Sequence, residues 1–136
     1  YAQKSYDITK INEADQIFDL IICFHVLEHI LEDKKAIKEL YRVLKKDGYL
    51  LIQVPLKKGK TYQDKSIISK EGRLKAFGQE DHVRIYGEDS LPLILNESGF
   101  SAKPIDIVKE FNIEEKKLYG LAENEKIYVC RKATST

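Results

Sequence analysis

Two histidines bracket a glutamate at His25-Val26-Leu27-Glu28-His29, residue types that could grip a metal, hold a substrate or fill a turn. His25 and His29 stand four apart and share a face only if both are helical. The zinc-protease pattern places glutamate directly after the first histidine. Here Glu28 directly precedes the second, so that signature is absent. A third ligand would have to come from Cys23 or distant His82, and no metal is expected. Cys23 and His25 are the types of a thiol nucleophile and its base, but they lie two apart at a strand end and tend to point apart. A buried strand cysteine is usually inert. A further cluster, Asp81-His82-Val83-Arg84, mixes acid, base and cation. It reads either as a local salt-bridge knot or as a ligand-facing loop. There is no glycine-rich phosphate loop, so neither a P-loop nor a dinucleotide fingerprint can be argued.

These residues need elements to position them. Phe18 to Cys23 is a continuous apolar run, the pattern of a parallel strand covered on both faces. Ala36, Ile37, Leu40, Tyr41 and Leu44 recur at helical spacing, which predicts a helix capped by Asp33 and ended by Asp47-Gly48. Its Glu39 and Arg42 are expected to face water. Tyr49 to Val54 is a second strand, stopped by Pro55. Strand, helix and strand make a βαβ unit with a right-handed crossover. In such sheets ligands bind beyond the carboxyl ends of the strands, where Cys23 to Val26 and Val54 to Leu56 fall. His25 there either faces a ligand or hydrogen-bonds the next loop. Glu28 and His29 read as first-turn helix residues, His29 structural.

Residues 1–16 form a polar arm without period. Residues 56–86 form an insert; within it, Lys57 to Lys75 carries seven basic residues against two acidic ones. That stretch reads as a solvated loop with one short helix, or as a lid or anion patch. A helix from Asp89 to Ser98, capped by Asp89 or Ser90, precedes strands at 100–108 and 126–131. Glu110 to Asn124 is ambiguous loop, and 132–136 is a frayed tail.

At 136 residues the chain suits one domain, and a formal net charge of +1 supplies no global pull toward nucleic acid or membrane. Aromatics do not interleave with the lysines as on a base-stacking platform. Cys23 and Cys130 read as free buried thiols of a reduced, cytoplasmic protein. The chain has no methionine and opens on Tyr1, which reads as a segment removed or left out.

The stretch FDLIICFHVLEHILEDKKAIKELYRVLKKDGYLLIQVPL, followed in order by FGQEDHVRIYGEDS, LNESGF and ENEKIYVCRK, resembles the second half of class I S-adenosylmethionine-dependent methyltransferases. The resemblance implies an α/β, Rossmann-like partial sheet in the order 4-5-7-6, with the strand last in sequence antiparallel. It implies that Asp7 and Ile8 flank the adenine and that Cys23, Phe24 and His25 run beneath the methionine part of the cofactor. His82 and Arg84 border the acceptor site, and His25 or His82 is the candidate catalytic base. The family's glycine-rich loop and the acid ending its second strand have no counterpart here. The reading is therefore a portion of an enzyme whose parent methylates a small-molecule acceptor, with the chain itself inactive and binding no cofactor. The alternative is a cofactor-free remnant acting as a dimerising interaction module. Either way, an exposed strand at 18–23 is expected to favour a homodimer.

Overall fold

The computed structural model describes residues 3–106, 114 and 126–134. Among the described residues the elements with describable bounds are, in order, β1 (Phe18–Phe24), α1 (Asp33–Val43), β2 (Leu44–Gln53), β3 (Leu56–Lys57), α2 (Lys70–Phe77), β4 (Tyr86–Gly87), α3 (Leu91–Glu97), β5 (Phe100–Asp106) and β6 (Lys126–Lys132). A 3-10 turn, Leu27–His29, links β1 toward α1. The main sheet runs β1-β2-β6-β5. β1 and β2 are parallel, whereas β6 is antiparallel to both of its neighbours. This is the expected order, with the last strand reversed. The expected strand residues 107–108, and the loop expected over Glu110 to Asn124 apart from residue 114, lie outside the described residues.

The core lies on one face of the sheet. Ala36, Ile37, Leu40 and Val43 of α1 and Leu91 and Leu95 of α3 pack with Cys23, Leu50, Ile52, Phe100, Tyr128 and Cys130. The run at β1 is not covered on both faces as its unbroken hydrophobicity suggested. Successive side chains of a strand point to opposite sides, so Cys23 is buried and Ile21 packs on the core, while Leu20 and Ile22 are 53% and 59% exposed.

Helix α1 ends at Val43, five residues before Gly48. Leu44 turns extended (φ −77°, ψ 134°), is fully buried and pairs with Phe18, so the chain gains more as strand than as a further helical turn. Gly48 therefore serves close packing rather than a left-handed cap. A Cβ there would lie 2.7 Å from Leu44 Cδ1 and 2.9 Å from the Asp19 carbonyl oxygen. Asp33 does not cap α1 either. It is the first helical residue, with Glu32 at the cap position, and it receives the Tyr86 hydroxyl. At α3 the Ser90 hydroxyl makes no cap; it accepts the Thr61 amide instead.

The described part of the arm is pinned to α1, and its Tyr6 ring meets Phe18 of β1 edge-on. Arg42 donates to the carbonyls of Ile11 and Glu13 and to the Asp15 carboxylate, at 2.7–2.8 Å, and Glu39 accepts the Ile11 amide. The water-facing role expected of Glu39 and Arg42 is thus replaced by arm docking. In the insert, α2 has a true N-cap at Ser69 and a left-handed Gly78 at its end, while β3 and β4 pair in parallel. None of the described helices is long and apolar enough to cross a membrane.

Candidate active site

The carboxyl end of β1 turns sharply at His25. Its amide still donates to the Gln53 carbonyl at 2.8 Å, continuing the ladder to β2, yet its φ is +55°. A non-glycine residue held left-handed stores about 1–3 kcal/mol of strain. The bend leaves the His25 side chain 52% exposed at the rim and throws the following residues back over the sheet. Leu27 is then fully buried and acts as the anchor of the turn.

Glu28 follows it inward. Its side chain is 2% exposed, and neither carboxylate oxygen has a hydrogen-bond partner among the described residues. Two imidazole nitrogens lie close by: His25 Nδ1 at 3.7 Å and His29 Nε2 at 3.6 Å from Oε1. Both are beyond hydrogen-bonding range. On its other side His29 Nδ1 lies 3.1 Å from the Asp81 carbonyl oxygen and 3.3 Å from its carboxylate. The His82 ring stands edge-on to His29, centroids 4.6 Å apart. Burial, and next the neighbouring His29, lower the His82 pKa below its ordinary value.

Two segments far apart in sequence meet here because Arg84 ties them. Its fully buried guanidinium donates to the carbonyls of Leu27, Ile30 and Leu31 at 2.7, 2.6 and 2.9 Å, and to Gln63. The Val83 amide donates to the Glu28 carbonyl at 2.8 Å. Of the two readings of Asp81 to Arg84, the knot describes Arg84, while His82 remains half-buried beside His29. Glu28 and His29 belong to the separate 3-10 turn, not to the first turn of α1. Glu28 was missed as a site residue. An acid flanked by histidines directly after an apolar strand was the available signal.

Among the other expected site residues, Cys23 is buried, Phe24 half-buried and His25 exposed along one strand end. Burial, then the Glu28 charge, pushes the Cys23 thiol up to about 12, so it is no nucleophile at neutral pH. Asp7 lies on the arm, where its Oδ1 accepts the amide and hydroxyl of Thr9, holding its carboxyl below the usual range. Ile8 packs against the core. The structure thus brings His25 and His82 to one corner and keeps Asp7 within its own turn. A broad depression lined by Gln16, Tyr41, Lys46 and Arg131 lies at the opposite ends of the strands, away from this corner.

A βαβ unit in a sheet whose last strand is reversed, with side chains gathered at the carboxyl ends of its parallel strands, is a Rossmann-like fold. A methyltransferase domain family matches residues 1–103. The chain belongs to that methyltransferase domain family. Across 106 residues it is 31% identical to the uncharacterized protein MJ0638 of Methanocaldococcus jannaschii, covering 68% of this chain and 47% of that protein. In structure it resembles the [4+2]-cyclase SpnF at a TM-score of 0.64 and 17% identity, covering 97% of this chain and 57% of that one. It also resembles an S-adenosylmethionine-dependent methyltransferase of Mesorhizobium loti at a TM-score of 0.64 and 12% identity, covering 93% and 67%. The chain therefore spans about half the length of the curated relative it matches.

Proposed function

We propose that this chain forms the acceptor-side portion of an enzyme that moves a methyl group from S-adenosylmethionine to a small molecule. The observation behind this reading is His25, bent out of β1 at the sheet rim and exposed beside Gln53. The described residues fit one flank of the cofactor. Exposed Asp7 offers a carboxylate to an amino group, Ile8 an apolar side, and Cys23 to His25 a strand end beneath the methionyl chain. No glycine-rich turn that could cradle the amino-acid carboxylate follows a strand among the described residues. The cofactor supplies an activated methyl on sulfur, so the protein needs to align the acceptor, exclude water and take a proton. His25 is the group for the proton, and His82 closes the same corner. Buried free thiols at Cys23 and Cys130 suit a reducing, cytoplasmic setting.

Steady-state kinetics of His25→Ala in the longest natural protein carrying this sequence test the reading. A fall in kcat of at least about 100-fold is expected of a lost general base. Unchanged kcat and KM would return His25 to a structural role.

The second reading, a dimerising interaction module, rests on β1 lying at the sheet edge with Leu20 and Ile22 exposed. SpnF, named as a cyclase, bears this fold, and fold alone does not choose the chemistry.

A further inference from the structure

We propose that Glu28, His29 and His82 form a binding site for a divalent transition ion of the zinc type. The proposal stands apart from methyl transfer. One donor atom from each of the three residues lies within 4.8 Å of the others. Proximity alone would be weak, because polar clusters are common. The independent observation is Glu28, whose carboxylate is buried with both oxygens lacking a hydrogen-bond partner. A buried, unpaired carboxylate is expensive to keep, and a cation is the simplest compensation.

The distances favour an ion over a hydrogen bond. Glu28 Oε1 and His29 Nε2 are 3.6 Å apart, too far to share a proton. Two ligands on one zinc ion, each at roughly 2.0–2.1 Å, are separated by roughly 3.3–4.1 Å depending on the angle. The orientation of His29 fits as well. Its Nδ1 faces the Asp81 carbonyl oxygen at 3.1 Å, an acceptor that favours the tautomer with the proton on Nδ1 and leaves Nε2, 3.6 Å from Glu28 Oε1, free to ligate. Metal-bound histidines characteristically anchor their other nitrogen in this way. Arg84 ties residues 27–31 to the segment that carries His82 through three carbonyl contacts, so a small closure of this corner would bring the donor atoms, now within 4.8 Å of one another, to ligand spacing.

The donor set names the ion class. Two imidazoles and one carboxylate are poor for magnesium or calcium, which want oxygen, and suit zinc or iron(II) with positions left open. His25 Nδ1, 3.7 Å from Glu28 Oε1, is a further imidazole next to the cluster.

Chelator-treated protein titrated with zinc chloride by calorimetry at near-neutral pH tests the site. One equivalent should bind with Kd below about 1 μM, unmoved by excess magnesium. Glu28→Gln and His82→Asn, each checked for native far-ultraviolet dichroism, should weaken binding at least about 100-fold. Cobalt(II) chloride in place of zinc should give visible bands of a nitrogen- and oxygen-ligated site. Those bands should be lost in His82→Asn. If either variant misfolds, the wild-type cobalt spectrum and a zinc-dependent rise in Tm still decide the matter. Absence of stoichiometric binding, unaltered binding in the folded variants, or a strong thiolate-to-cobalt band placing the ion on Cys23 or Cys130 would each overturn the proposal.

Discussion

The Arg84 guanidinium donates to the Leu27 carbonyl at 2.7 Å across a sequence separation of 57 residues. The same nitrogen also donates to the Ile30 carbonyl at 2.6 Å. This one side chain therefore holds the strand-end turn and the histidine-bearing segment as a unit. An ion pair with Asp33 at 3.6 Å and the Tyr86 ring at 5.5 Å accommodate its charge.

Replacing Arg84 leaves the carbonyls of Leu27, Ile30 and Leu31 without their donor. Lysine has a positive charge but no planar fork. Arg84→Lys is expected to destabilise the fold by about 3 kcal/mol, within the range for several unsatisfied buried groups. Urea unfolding measures it; a loss under about 0.5 kcal/mol would show the contacts to be dispensable.

Cofactor affinity should be low for this chain on its own. On the proposed reading Asp7, Ile8 and the β1 end would supply one flank only, so calorimetric titration with S-adenosylmethionine is expected to give a Kd above about 100 μM. A value below about 10 μM would mean that these residues suffice.

The open side of β1 is expected to recruit a second copy. Among the described residues β1 has one hydrogen-bonded neighbour, and Leu20 and Ile22 are exposed on it. Its pairing with β2 has one irregularity, between Phe18 and Leu20, but Leu20 to Phe24 has neither the lysine nor the proline that guards natural edges. Light scattering after size exclusion should return about twice the 15.7 kDa chain mass. Ile22→Lys, on the exposed face, should restore a folded monomer. Substituting core-facing Ile21 would unfold the protein instead and is not a clean probe. A monomer of wild-type sequence at about 100 μM ends this idea.

Alkaline pH should weaken the fold. Burial pushes both Cys23 and Cys130 up to about 12, whereas an unfolded thiol titrates near about 8.5. Above that value the unfolded chain has released protons that the native state still holds, so stability falls as pH rises. It is fully present below about 8.5 and is lost through about 12. Tm should drop between about pH 8 and pH 10, and Cys130→Ala should flatten the slope. Ellman's reagent should react with neither thiol until denaturant is added.

Local chemistry decided a good part of this architecture in advance. The 3.6-residue stripe of Ala36, Ile37 and Leu40 requires a helix with one buried face, and the β-branched runs at 18–23 and 126–130 require strands. Burial of Cys23 and Cys130 follows from the apolar runs around them. The strand order 4-5-7-6 came through family resemblance, since no local pattern encodes which strands become neighbours.

Competition between elements was not local, and there sequence reasoning misplaced details. Gly48 looks like a helix stop, yet α1 ends at Val43 because Leu44 is worth more buried against β1. Arg42 looks like a surface cation until the arm presents it with the carbonyls of Ile11 and Glu13.

The sequence by itself determined which residue types stand at the end of β1: a histidine, a buried leucine, a glutamate and a second histidine, read in one line. Only the tertiary structure decided that Glu28 points inward without a hydrogen-bond partner and that His82, 53 residues beyond His29, stands against it. That encounter depends on a buried guanidinium and on packing across the insert. Contacts of this range are set by the whole chain's closure, so no window of neighbouring residues contains them.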